Sequence, residues 1–387
     1  MKIFCLGGAG RICREAMLDL VQFSAAERIT LADQNEPEGR AVVAWLNDPR
    51  VEFVRTDCID RAGTVAQMRG YDVVMDGTTI ALNGLSAACI AEAGCHGINL
   101  NGFGEEDAAA PMFCREGKAF VPGFGMTPGI TQMMAKHAAS GLDSVESVRV
   151  SHGAYRPIAF SPSIAETTTY EYDPKLPGRV VFEEGEFKQV PPFSRPLEIA
   201  LPEPYGSAPQ YIIPHAETRT LAKHLQSKGV RLIEVRGTWP QKNMQLIRTL
   251  HDWGFLRNDR VKVRGVEFGV MEAVAAHLLQ SIEGRETELY GYALHVEVVG
   301  MRGLEKVRHT LWHTHPTSDG TVPDWAGLRA YTRNVGIPLA IGAVMLCQGQ
   351  VHGTGILTPE EAFEPAAVFE ELKKRRILIH EQIDPVP

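Results

Sequence analysis

The first 135 positions alternate two hydrophobic textures: short β-branched and apolar runs, and longer stretches with apolar residues at helical spacing. KIFCLGG, ERITLADQN, VEFVRTD, YDVVMDGTT, GINLNGF and KAFVPGF predict six strands. Between them, RICREAMLDLVQF and residues 38–46, 62–68 and 82–93 predict helices, and TPGITQMMAKHAA opens another after the sixth strand. Strict alternation of strand and helix predicts a doubly wound, Rossmann-type parallel sheet of the α/β class.

Near residue 143 the texture changes. DSVESVRVSHGAY predicts a strand, whereas residues 157–209, crowded with prolines and aromatics, show no clear period and predict loops or a lid. Residues 216–226, 243–253 and 270–283 predict helices, and GVRLIEVRGTW a strand. ELYGYALHVEVVGMRGLEKVRHTLWHT predicts two strands joined by a Gly-rich turn. Residues 136–329 are therefore expected to form a second, mixed-sheet α+β domain for substrate binding and oligomerisation. From residue 330 a helical texture returns. GIPLAIGAVMLCQGQ is apolar nearly all round and is predicted to be buried. Segment 330–387 is expected to pack back on residues 1–135, with KRR at 374–376 as the solvated basic end of the last helix.

Length and composition agree with two domains. The chain has 387 residues, of which 44% are hydrophobic and 22% charged, with a formal charge of −8. No basic run offsets that charge, so neither nucleic acid nor an anionic membrane is an expected partner. Apolar stretches such as residues 338–347 fall short of a bilayer span, and the apolar run at residues 3–9 leads into glycines without a cleavage site. Seven cysteines without a C-x-x-C pair predict reduced, buried thiols, a cytoplasmic setting and no structural metal.

Candidate chemistry begins after the first strand. Gly8, Ala9, Gly10, Arg11, Ile12 and Cys13 spell a dinucleotide fingerprint with Cys13 in place of the third glycine. The first two glycines make the turn and admit the pyrophosphate; the third only packs helix on strand. The amides of Arg11 and Ile12 at the helix N-terminus would hold the phosphates. Asp33 ends the second strand 25 residues after Gly8, where a carboxylate accepts from both adenosine ribose hydroxyls and repels a 2′-phosphate. Gln34 and Asn35 bring no arginine there, so NAD is expected over NADP; the alternative for Asp33 is a capping or turn role. Asp57 and Cys58 should lie near the adenine, and Gly77, Thr78 and Thr79 near the pyrophosphate or nicotinamide ribose. Asn99 and Asn101 follow along the same edge.

FVPGFGMTPGITQMMA and AIGAVMLCQGQVHGTGILTPEEAF…VFEELKKRRILI resemble the saccharopine dehydrogenase-like family. PHAETRTLAKHLQSKGVRLIEVRGTW and NMQLIRTLHDWGF look most like its lysine 6-dehydrogenase branch, although NLNGF stands where that branch tends to carry an aspartate and Gly-Gly-His. The resemblance implies a chain that leaves a cofactor domain, builds a mixed-sheet substrate domain and returns. It also implies oxidation or formation of amino-acid C–N bonds with a nicotinamide cofactor. The implied substrate is an amino acid or diamine, oxidised to an imine.

That reaction needs a base near neutrality, for which His152 and His215 are candidates. It also needs a cation for a substrate carboxylate, with Arg156, Arg219 and Arg333 as candidates beside Thr218. Each could equally be structural: a hydrogen-bonded histidine, a surface ion pair, a helix cap. His309, His313 and His315 share one strand face, but without a carboxylate pattern no metal is expected. An NADP-linked saccharopine- or carboxynorspermidine-type reductase is the alternative enzyme, and a non-catalytic NAD sensor the alternative from another class. A homodimer or homotetramer is expected from the exposed mixed sheet.

Overall fold

The computed structural model describes residues 1–158, 164, 167, 171–175, 178–203, 205–257, 259–281, 290–317 and 329–386. The chain divides into two compact units, Met1–His137 with Thr332–Leu378, and Ala138–Tyr331 with Ile379–Pro387.

The first unit holds β1 (Lys2–Leu6), β2 (Arg28–Asp33), β3 (Val51–Arg55), β4 (Val73–Asp76), β5 (His96–Asn99), β6 (Ala119–Val121) and β17 (Gly355–Ile356). They form one sheet in the order β17-β6-β5-β4-β1-β2-β3, every pair parallel. The order reverses between β1 and β4, the point at which doubly wound sheets open a ligand crevice at their carboxyl edge. Apolar residues spaced along the helix Arg11–Phe23 (Cys13, Ala16, Met17, Leu20) are buried, which seats its N-terminus at the end of β1.

The helix Arg329–Cys347 passes from one unit into the other. It is long and apolar enough by composition to span a bilayer, with mean hydropathy 1.2, yet 72% of that stretch is buried inside the fold. The expectation that no apolar stretch reaches that length is corrected, whereas its predicted burial is observed. Gly336 permits a close crossing: a Cβ there would stand 2.7 Å from the Ile12 carbonyl oxygen.

The second unit is built on a mixed sheet containing β7 (Ser144–Tyr155), β8 (Val180–Glu183), β9 (Glu186–Gln189), β10 (Leu197–Leu201), β11 (Gly206–Ile212), β12 (Leu232–Thr238), β15 (Gly291–Arg302), β16 (Glu305–His315) and β18 (His380–Pro385). Its main path is β10-β11-β12-β7-β15-β16-β18, with the β8–β9 hairpin attached to β12. Only β7 and β12 pair in parallel; the other pairs are antiparallel. A separate hairpin joins β13 (Arg260–Val263) to β14 (Val266–Gly269).

Three expectations change. Residues 157–209, read as aperiodic loop, contain β8, β9 and β10; prolines and short lengths hide the alternation of these edge strands. The chain end, expected in the first unit, forms β18 of the second, where it pairs with β16. Arg375, read as part of a solvated basic end, is 4% exposed and grips Asp19 at 3.0 Å through both Nε and Nη2.

Candidate active site

In the first unit the dinucleotide fingerprint forms the turn its glycines predict. Gly7 lies in the left-handed region (φ 69°), and a Cβ there would stand 2.8 Å from the Gly77 carbonyl oxygen. A Cβ on Gly8 would meet the Leu31 side chain at 2.8 Å. Gly10 begins the helix Arg11–Phe23 without any side-chain cap, so the first-turn amides are offered to an anion. Cys13 is buried, and its Sγ lies 2.0 Å from where a Cβ on Gly77 would be. The packing role of the missing third glycine has passed to Gly77.

Asp33 ends β2 half-buried. Its Oδ2 accepts the Ala9 amide at 3.1 Å and its Oδ1 the Asn35 amide at 2.9 Å, which fixes the carboxylate beside the glycine turn. Gln34 is exposed, and Asn35 caps the helix Glu36–Leu46, a structural role. Arg55, exposed at the end of β3, is the in-register backbone neighbour of Asp33 across β2 and β3. The sequence spacing missed it because it arrives from another strand. Asp57 holds its own turn through the Ile59 amide at 3.0 Å. Cys58 packs into the core, and burial pushes its thiol up to about 12. Ile59, 78% exposed between them and the next helix, is the apolar surface that sequence reasoning missed here.

Asp76, fully buried at the end of β4, accepts the Thr78 amide at 3.0 Å and hydroxyl at 2.7 Å, and also the Ser86 hydroxyl. Burial raises its carboxyl above the usual range. Thr78 is thereby committed to shaping the Gly77 turn, while Thr79 remains exposed at the start of the short helix Ile80–Leu82. Asn99 Oδ1 accepts the amides of Asn101 and Gly123, both at 3.1 Å, and its Nδ2 donates to buried Glu106. Asn101 is thus held on the carboxyl edge by its backbone. The uncapped helix, the glycine turn and Asp33 fit a nicotinamide dinucleotide.

In the second unit, β7 carries His152 opposite Gly237 of β12. A Cβ on Gly237 would come within 2.8 Å of the imidazole, so glycine makes the room for this ring. His152 stacks on His215 (5.7 Å, 28°) and on Tyr292 (6.1 Å, 14°). Burial, reinforced by His215, pushes His152 down to about 3, and its Nδ1 has no hydrogen-bond partner. His215 goes the other way. Burial opposes its charged form, but Glu217, with its Oε2 3.4 Å from Nδ1, outweighs that penalty with help from Glu171 and raises the imidazole. Glu217 is fully buried at the first turn of the helix Glu217–His224. Burial raises the Glu171 carboxyl.

Neither Glu217, two residues after a candidate histidine, nor Tyr292 was singled out from the sequence. The PHAE spacing was a usable signal for Glu217. Glu171 stands in an aperiodic stretch with no signal at all.

The predicted carboxylate-binding arginines each have partners of their own. Arg156 is buried, donates to the carbonyl oxygens of Pro157 (2.9 Å) and Ile158 (3.1 Å), and lies 4.9 Å over Tyr331. Thr218 is buried beside Glu217 with a hydroxyl that has no partner. Arg219 points to the surface and packs on Phe187 at 5.0 Å, and Arg333 of the first unit donates to the Arg375 carbonyl oxygen at 3.0 Å. In these contacts both side chains have structural partners. His309, His313 and His315 are buried on one face of β16, and His309 Nδ1 lies 2.7 Å from Glu381 of β18. Among the described residues, no group of three or more His, Cys, Asp or Glu has metal-binding geometry.

Two family models match the chain: residues 3–119 the saccharopine dehydrogenase NADP binding domain, and residues 125–378 the saccharopine dehydrogenase C-terminal domain. A carboxyaminopropylagmatine dehydrogenase from Synechocystis sp. is 22% identical, covering 98% of this chain and 96% of that protein. Among solved structures, apo saccharopine dehydrogenase (L-Glu forming) from Saccharomyces cerevisiae superposes with a TM-score of 0.75 at 13% identity, covering 99% of both chains. Homospermidine synthase from Legionella pneumophila in complex with NAD gives 0.64 at 13% identity, covering 98% of this chain and 91% of that one.

Proposed function

The chain belongs to the saccharopine dehydrogenase family, and we propose that it is an NAD-dependent oxidoreductase acting on a C–N bond of an amino acid or amine through an imine. The observation that carries this reading is the stacked pair His152 and His215, whose surroundings drive their proton affinities apart. Titratable neighbours separated in this way divide the acid and base roles of a proton-coupled reaction.

Hydride can leave a carbon beside nitrogen only when the nitrogen lone pair is free, so a substrate ammonium must first shed a proton. His152 stays neutral throughout the working pH range, and its Nδ1 has no partner to satisfy it. His215, its proton affinity raised by Glu217 against its Nδ1, accepts that proton in the oxidative direction and returns it to nitrogen when the reaction runs toward C–N bond formation. Burial keeps water from levelling the two affinities. When bound, the nicotinamide dinucleotide supplies the hydride acceptor. The amides of Arg11 and Ile12 would hold its pyrophosphate, and Asp33 its adenosine ribose.

Oxidative deamination of lysine at its side-chain amine is the first substrate reading, from the likeness of residues 214–239 to lysine 6-dehydrogenases. A second reading, an NADP-linked enzyme for secondary-amine conjugates, has two supports: the match of residues 3–119 to a family model described as an NADP binding domain, and relatives named for saccharopine and carboxyaminopropylagmatine. Cofactor reduction followed at about 340 nm with lysine, diamines and secondary-amine conjugates, each with NAD⁺ and NADP⁺, separates them. Turnover of lysine with NAD⁺ supports the first, and turnover of conjugates with NADP⁺ the second. Tight cofactor binding with no amine oxidised would overturn both in favour of a sensor.

A further inference from the structure

The second unit contains a cavity of about 760 Å³ that does not include the stacked imidazoles. One wall is aromatic: Tyr155, Phe193, Tyr205, Tyr211 and Trp239. The rings are packed against one another, Tyr155 on Tyr205 at 4.6 Å and Phe193 on Tyr211 at 5.3 Å, so the wall is rigid. Phe193 is held in the left-handed backbone region (φ 57°), which bulky residues rarely adopt, and this conformation places its ring in the wall.

The opposite wall is one face of the helix Gln241–Asp252. Gln241, Gln245 and Arg248, spaced four and three apart, all line the cavity. The lining contains no aspartate or glutamate, and Arg248 is its one cation among the described residues. Arg248 lies 4.8 Å over the Phe193 ring, and its Nε donates to Asp252 at 3.1 Å. That arrangement leaves the two terminal nitrogens of a planar, pre-oriented guanidinium for a ligand.

We infer that this cavity binds an organic carboxylate with an apolar body, the carboxylate on Arg248 and the two glutamines, the body on the aromatic wall. A pocket mostly apolar, of this size, with a few converging polar groups has the usual make-up of a small-molecule site. Arg248, half exposed and ion-paired with Asp252 through Nε, supplies the cation of this lining through its remaining nitrogens. Trp239 lines the cavity and also lies 6.0 Å from the Arg156 guanidinium, which in turn packs on Tyr331 beside Tyr292 and His152. That the carboxylate belongs to the amine substrate rests on the proposed C–N chemistry; the binding itself does not.

The test is calorimetric titration of the full-length protein, without cofactor, with hydrocinnamate, hydrocinnamamide and phenylpropylamine. Hydrocinnamate should bind, and the amide and amine about tenfold or more weaker, since only the carboxylate makes charge-assisted bonds. Arg248→Gln should lower hydrocinnamate affinity about tenfold with an unchanged melting temperature, and Arg248→Lys should restore part of it. Ala208→Trp, which fills the cavity, should abolish binding. Equal binding of the three probes, or an Arg248→Gln variant that binds hydrocinnamate as the wild type does, overturns the inference whatever becomes of the filled variant. Hydrocinnamate binding with no amine oxidised would count against the proposed function alone.

Discussion

His152 and His215 lie 5.7 Å apart, ring to ring, yet burial and Glu217 send their proton affinities in opposite directions. The stability consequence has a definite sign. His152 titrates near 6.5 when unfolded and at about 3 when folded, so below pH 6.5 the unfolded chain binds the extra proton and stability falls with acidity. This residue should contribute about 1.4 kcal/mol of lost stability per pH unit between pH 6 and 4. His152→Gln should flatten that limb in urea melts, and an unchanged pH slope would contradict the buried neutral state. Cofactor recognition can be tested one side chain at a time. Asp33→Ala should weaken NAD binding about tenfold or more and relax discrimination against NADP, measured by titration; if both are unchanged, Asp33 is only a turn residue. Gly77→Ala should cost about 1–3 kcal/mol by overpacking against Cys13, and Cys13→Gly in the same chain should restore most of it. Both glycine-loop residues and Asp33 were legible because a fixed spacing encodes them. The compensation between Cys13 and Gly77 was not, since it joins positions 64 residues apart whose contact only the fold creates.

Elements were legible where one face or a strict alternation met the core. The first six strands of the seven in the cofactor unit, the helix Arg11–Phe23 and the long apolar helix all appear where their periodicity places them, whereas the two-residue β17 carries no pattern. The β8–β9 hairpin, β10 and β13–β14 escaped, because short or largely exposed strands at sheet edges carry little apolar pattern. The chain end escaped for another reason: HEQIDP is polar, and its strand pairing is dictated by the open edge of β16. Arg375 shows the converse error, in which a charge run was read as solvated. Its guanidinium is buried against Asp19 of the first helix and also bonded to Glu371. Burial raises the Asp19 carboxyl even so, while Arg375 offsets that penalty. Removing one partner of a buried pair strands the other, so Arg375→Met should cost about 3–5 kcal/mol in urea denaturation. A loss below about 1 kcal/mol would show the pair to be solvated after all.

At the scale of the whole molecule, two units of different texture divide the work the family requires. One carries the glycine turn, the uncapped helix and Asp33; the other carries buried imidazoles, a buried glutamate and an aromatic cavity. The cofactor unit was readable because every doubly wound sheet solves the same phosphate problem in the same way. The second unit was not, because its buried titratable groups come from β7, β15, a helix start and an aperiodic stretch, with no shared spacing. The proposed function requires hydride to leave a carbon bound to nitrogen. The most direct measurement uses the amine that the cofactor-reduction panel identifies, deuterated at that carbon, in a single turnover with NAD⁺ followed by mass spectrometry of the reduced cofactor. That function predicts a reduced dinucleotide heavier by one deuterium and a slowed rate, with the rate collapsing in His215→Asn while NAD binding is retained. Reduced cofactor carrying no deuterium would contradict it.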